Sequence, residues 1–278
     1  MKLWLISVFS LTLMACSNQK QELDNNSETT KRVKSTPNLL SQHTLTPSLY
    51  SLHYVSNHNV DKPNLLFVHG TPGSWGSFSR YFEDPELMKA YNINALDRPG
   101  WGESSYPDGP FPKTLSDQSR LIAPILEDIW NKTQKKTLVI GHSLGGSLVP
   151  KLAVDYPEYI SGVIILAGDI GPRLAEARWF NYALDMLPKQ WVPEFWYNSN
   201  QEVLELMPEL ERLQNEFSQL SLPVVVLQGT EDDLVRPKNA SFSESLFPNV
   251  NVIWLEGASH IINITHADDV KKAIQSFH

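Results

Sequence analysis

The sequence holds one cysteine among 278 residues. That excludes an internal disulfide framework and any paired-cysteine metal site. It also lacks a basic cluster: 23 Lys and Arg stand against 31 Asp and Glu, for a formal charge of -8. Phosphate contact needs concentrated cations, so nucleic acid is not an expected partner. There is no HExxH pair and no Walker-type glycine loop, so neither a metal nor another cofactor is expected. No internal run is long and apolar enough to cross a bilayer. What is present is a globular balance, 41% hydrophobic and 19% charged. The length is enough for a sizeable core.

The first sixteen residues read MKLWLISVFSLTLMAC. Lys2 precedes an apolar stretch from Leu3 to Ala15, the layout of a secretory signal and too short for a spanning helix. Its end, Leu13-Met14-Ala15-Cys16, resembles the bacterial lipoprotein box. The resemblance implies that residues 1–15 are removed and that Cys16 carries lipid, palmitate included. The chain is then exported and held at a membrane. Ser17 in the following place implies the outer membrane, facing the periplasm, over the inner one. From Ser17 to Thr36 only Leu23 and Val33 are aliphatic. So polar a segment does not bury enough surface to offset its ordering entropy. Residues 16–44 are therefore expected to form a flexible tether, with the fold starting between Pro37 and Leu49.

Beyond it, short apolar runs alternate with helical patterns. Leu65–Val68, Ile93–Leu96, Leu138–Ile140, Val163–Leu166, Val224–Leu227 and Val250–Leu255 read as strands, several of them apolar throughout, as in a sheet covered on both faces. Tyr50–Val55 is expected to add an antiparallel edge strand. Ile122, Ile125, Leu126 and Ile129 share one helical face, as do Val270, Ala273, Ile274 and Phe277. Thr265 with Asp268 predicts the cap of that last helix. The alternation implies an α/β fold, a mainly parallel sheet flanked by helices. Residues 169–222 break the rhythm and predict an inserted helical cap, in which Pro208 is expected to kink or divide a helix. Its aromatics, Trp179, Phe180, Trp191, Phe195, Trp196 and Tyr197, suggest an apolar pocket, although packing onto the sheet explains most of them. Trp75 and Phe78 are further pocket candidates.

Gly141-His142-Ser143-Leu144-Gly145 follows one strand directly and opens a helix. In that setting small flanking residues permit a sharp turn that lifts a serine hydroxyl above the sheet. The amide of Leu144 then sits at a helix N-terminus, suited to a developing oxyanion. Here the chain resembles the α/β-hydrolase superfamily, from about residue 45 onward. The resemblance divides it into a core of residues 45–168 and 223–278 and a cap of residues 169–222. His69-Gly70-Thr71-Pro72-Gly73 matches the family's oxyanion turn and implies a second donor, the backbone N–H of Thr71. Asp97-Arg98-Pro99-Gly100-Trp101-Gly102-Glu103-Ser104 matches a further family turn, with Asp97 and Arg98 read as structural.

A serine hydroxyl needs a positioned base. Among eight histidines, His260 lies past the last strand in a Gly-containing loop, where the family places its base. His69 belongs to the oxyanion turn. His142 is expected to leave on the turn's other side, and His43, His53, His58, His266 and His278 to be solvated or packed. Gly229-Thr230-Glu231-Asp232 resembles the family's acid turn and points to Asp232, with Asp233 and Asp169 as alternatives. The chain order Ser143, Asp232, His260 is the one this fold uses. The resemblance implies a Ser-His-Asp serine hydrolase that cleaves a small to medium apolar carboxylic ester through an acyl-enzyme. Its partners are then a small-molecule substrate and a membrane. Two alternatives stand beside it. One is an aminopeptidase of the proline iminopeptidase type, which would need a carboxylate from Glu176, Glu194, Glu202, Glu205 or Glu209. The other is a non-catalytic, lipid-anchored binding protein.

Overall fold

The computed structural model describes residues 17–47 and 49–277. The signal sequence and Cys16 lie outside the described residues. Eight strands form one sheet: β1 (Ser41–Leu45), β2 (Leu52–Ser56), β3 (Asn64–Val68), β4 (Asn92–Leu96), β5 (Thr137–His142), β6 (Ile160–Leu166), β7 (Val224–Gly229) and β8 (Val250–Leu255). Their order is β1-β2-β4-β3-β5-β6-β7-β8. From β4 to β8 every pair is parallel, whereas β1–β2 and β2–β4 are antiparallel. The Tyr50–Val55 run therefore pairs as expected, but the edge belongs to β1, which the sequence reading left out.

Side chains alternate across a strand, and the two faces of the sheet feed two cores. Leu66, Val68 and Val139 pack with α3 (Leu115–Thr133) and α4 (Leu144–Asp155). Leu65, Phe67 and Ile140 pack on the other face with the 3-10 segment Trp75–Phe82 and with α9 (Ala267–Gln275). Trp75 and Phe78 belong to that second core and are buried, so they do not line a pocket. The shorter helices of the core are α2 (Pro85–Ala90), α7 (Lys238–Leu246) and α8 (Ile262–Thr265). Thr265 ends α8 and does not cap α9, whose preceding residue is His266.

Between β6 and β7 lies the expected cap, built of α5 (Trp179–Asp185), α6 (Glu194–Phe217) and two short 3-10 turns. Pro208 does not divide α6, which runs 24 residues. Burial of Leu206, Leu210, Leu213 and Phe217 holds the helix across the missing amide.

Residues 17–35 correct the tether expectation: they form α1 (Ser17–Ser35), docked on the Trp75–Phe82 segment. Asn26, Thr30 and Val33 recur at helical spacing and face the core. Asn26 donates to the Gly76 carbonyl at 3.0 Å. Thr30 donates to the Ser79 hydroxyl at 2.9 Å. A Cβ on Gly76 would stand 2.8 Å from the Thr30 methyl, so glycine is what lets the helix close in. The contact face is mostly polar, and a search for apolar periodicity cannot find it. Val33→Ala should lower stability by about 1–2 kcal/mol, read as a shifted urea midpoint with unchanged slope. A variant with an unmoved midpoint would mean that α1 does not pack.

Candidate active site

The carboxyl ends of the parallel strands carry the candidate residues, as expected for an open α/β sheet. Ser143 joins β5 to α4 with φ 56° and ψ -125°. That is the left-handed side of backbone space for a residue with a Cβ, a strain of about 1–3 kcal/mol that the surroundings must impose. Three glycines permit it. A Cβ on Gly141 would lie 2.1 Å from the Gly145 carbonyl oxygen, and one on Gly145 would lie 2.2 Å from the Val68 oxygen. One on Gly70 would lie 2.8 Å from the Ser143 Cβ, so the His69–Gly73 turn is packed against the serine itself. The Ser143 amide donates to the Leu166 carbonyl at 2.9 Å. Its side chain does not cap α4, and the Leu144 amide opens that helix.

His260 Nδ1 and Asp232 Oδ2 are 2.9 Å apart. Asp232 Oδ1 accepts from the amides of Leu234 at 2.9 Å and Val235 at 2.8 Å, and Gln228 donates to Oδ2 at 3.2 Å. Burial works to raise the Asp232 pKa, yet the His260 ring and the two amides together hold it below the usual carboxylate value. Asp233 is exposed. Asp169 accepts from Asn239 at 2.8 Å, and burial pushes its pKa up to about 7. Of the three acids considered, Asp232 is the one bonded to the His260 ring.

His142 departs from expectation. Its ring lies 4.8 Å from that of His260, centroid to centroid. Its Nε2 donates to the His260 carbonyl at 2.9 Å. The residue before the serine thus braces the loop that carries His260. Burial, then the nearby His260, lowers the His142 pKa to about 3, so the ring is neutral. His53 is packed, as expected, with Nδ1 at 2.8 Å from Asp97. Asp97 also accepts from the amides of Trp75 and Glu103, which fits the structural role read for it.

The sequence reading offered Glu202 on α6 only as a carboxylate for an amino group and missed its pairing with Arg98. Arg98 is wholly buried and donates to Glu202 Oε1 at 2.6 Å and to the Gly70 carbonyl at 2.9 Å. Trp101 and Gln118 donate to the same carboxylate at 3.0 and 2.8 Å. The cap is thereby tied through one guanidinium to the oxyanion turn. The available signal was a glutamate in register with the apolar stripe of α6, four residues before Leu206.

A strained serine elbow, a glycine-containing turn packed against it and a hydrogen-bonded His–Asp pair thus lie at the carboxyl edge of the sheet. The sequence model of the alpha/beta hydrolase family matches residues 65–273, and the chain belongs to that family. Among individual relatives, a 1-acylglycerol-3-phosphate O-acyltransferase of Arabidopsis thaliana is 33% identical over 121 residues, 42% of this chain and 28% of that protein. The chain spans between a quarter and a third of the length of this and neighbouring relatives. Lipase 1 of Psychrobacter immobilis is 22% identical, with 99% of this chain and 96% of that protein aligned. The solved structure of naproxen esterase from Bacillus subtilis superposes with a TM-score of 0.64 at 16% identity, over 95% of this chain and 99% of that one.

Two consequences can be measured. Glu202→Ala leaves Arg98 buried without its counter-charge and should cost about 3–5 kcal/mol in urea unfolding. A loss under 1 kcal/mol, as for exposed pairs, would mean that the pair is not buried. His142 has a folded pKa depressed from 6.5 to about 3, so below 6.5 the unfolded chain binds more protons than the folded one. Its contribution to stability is complete above 6.5 and is lost as pH falls toward 3. His142→Gln should therefore flatten the decline of the urea midpoint between pH 6.5 and 4; an unchanged decline would contradict the neutral buried ring.

Proposed function

We propose that this protein is a serine hydrolase acting on a carboxylic ester with a small to medium apolar acyl or alcohol part. The observation that carries the reading is the strained Ser143 elbow, packed against Gly70 and preceded by His142, which hydrogen-bonds the loop that bears the His260–Asp232 pair. Asp232 orients the His260 ring through Nδ1, leaving Nε2 to take the proton of the Ser143 hydroxyl. Oγ of Ser143 attacks the ester carbonyl, and the oxyanion forms against the amides of Thr71 and Leu144. Each such donor contributes about 3 kcal/mol of transition-state stabilisation. His260 returns the proton to the leaving alcohol. Water then repeats the cycle on the acyl-enzyme and releases the acid.

The cap carboxylates favour an ester over a peptide with a free amino terminus. Glu202 is consumed by Arg98. Glu209 accepts from Ser116 and Arg212, Glu205 pairs with Lys113, and Glu194 accepts from Tyr106. Glu176, the fifth, is exposed. A site for an ammonium group needs a carboxylate free to meet it. The alignment with a lipase along nearly the whole chain is in line with ester chemistry.

The sequence of residues 1–16 supports an exported lipoprotein carried on Cys16, at the outer membrane facing the periplasm. Cys16→Ser should end incorporation of labelled palmitate; label retained in that variant would contradict the anchor. For the chemistry, Ser143→Ala should keep its melting curve and lose hydrolysis of p-nitrophenyl butyrate by about 10⁵–10⁶-fold. Full turnover in that variant would mean another nucleophile. A wild-type preference for prolyl-naphthylamide over the butyrate would favour the aminopeptidase reading. Inactivity on both would favour a non-catalytic binding protein.

A further inference from the structure

The cap carries an apolar surface that neither the core nor the proposed chemistry uses. Trp179, Tyr182, Met186, Trp191 and Phe195 are 76, 52, 86, 56 and 49% exposed. Packing onto the sheet accounts for none of these residues, although Phe195 borders a cleft with Trp101, Tyr106 and Asn198. Leu234, 50% exposed, extends the face, because Arg178 at the start of α5 donates to the Asp233 carbonyl. Soluble monomers seldom present so many large apolar side chains together unless something covers them.

The composition favours one kind of cover. Trp and Tyr join an apolar body to a polar edge and concentrate where acyl chains meet headgroups. The charges along this stretch are balanced: Arg173, Arg178 and Lys189 against Glu176, Asp185 and Glu194. An acidic or basic protein partner would have no net charge to meet there.

α1 starts at Ser17, the residue after Cys16. Its first half lies on the catalytic side of the molecule. Leu23 and Asn26 border a cleft with Gly73, Ser74 and Ser77, just downstream of the oxyanion turn. Glu22 faces Arg80 at 3.7 Å, and Arg80 donates to the Ile264 carbonyl in the short helix after His260. A lipid on Cys16 is therefore joined to a docked helix, with no long linker between it and the loops of the site. The cap rises from the same carboxyl edge of the sheet.

We propose that the cap face around Trp179 and Trp191 is a membrane-docking surface, seated in the interfacial layer of the bilayer that holds the lipid anchor. This rests on the lipidation of Cys16 proposed above. The mouth of the site then faces the acyl region, and esters dissolved in the membrane reach it without crossing water.

The test uses the full lipidated protein reconstituted into phosphatidylethanolamine and phosphatidylglycerol vesicles, with and without bromine on the acyl chains. Brominated chains should quench wild-type tryptophan emission. The quenching should disappear in the Trp179→Asp, Trp191→Asp double variant, which should still float with the vesicles and hydrolyse soluble p-nitrophenyl butyrate at the wild-type rate. Quenching of equal size in that variant would overturn the proposal. So would a wild-type protein that floats but is not quenched, a result that upholds the anchor and leaves the face to a protein partner. Failure of the wild type to float would remove the anchor and the docking together.

Discussion

The structure depends on a backbone that the Ser143 side chain alone would not choose. A positive φ at a residue with a Cβ persists only where the surroundings leave it no alternative. Here the constraint is contact: Gly141 against the Gly145 carbonyl, Gly145 against the Val68 carbonyl, and Gly70 against Ser143. A methyl group at any of these three places would push strand, helix or oxyanion turn apart. The glycines thus do more than permit a turn. They bring the end of β3, the end of β5 and the start of α4 within van der Waals distance.

The second organising contact is electrostatic. A buried guanidinium is costly unless its donors are matched. The terminal nitrogens of Arg98 are matched by Glu202 from the cap, Gln118 from α3 and the Gly70 carbonyl, while its buried Nε has no partner among the described residues. Three parts of the chain far apart in sequence therefore share one charge. Displacing the cap would strip Glu202 from Arg98, so cap position and turn geometry are linked physically. His142 plays a similar bracing part on the other side, holding the His260 loop by its carbonyl.

The sheet was legible because strands covered on both faces become unbroken apolar runs, as in Leu65–Val68 and Val224–Leu227. The elbow was legible because close backbone approach demands glycine at fixed spacing. Choosing Asp232 over Asp233 required coordinates, since adjacent carboxylates look alike until amides at residues 234 and 235 and the Gln228 side chain converge on one of them. α1 was illegible for a related reason: its docking face joins Val33 to Asn26 and Thr30, which hydrogen-bond partners about fifty residues away. β1 was hidden by its polar, half-exposed pattern at the sheet edge. The cap aromatics misled because apolar residues in a sequence suggest burial, and here several face outward.

The central claim is that one hydroxyl, that of residue 143, is the nucleophile. The most direct measurement is peptide mass spectrometry of the wild-type protein after reaction with a fluorophosphonate. The account predicts a single phosphonyl adduct on the peptide that contains Ser143. An adduct confined to any other residue, or none on folded protein, would contradict it.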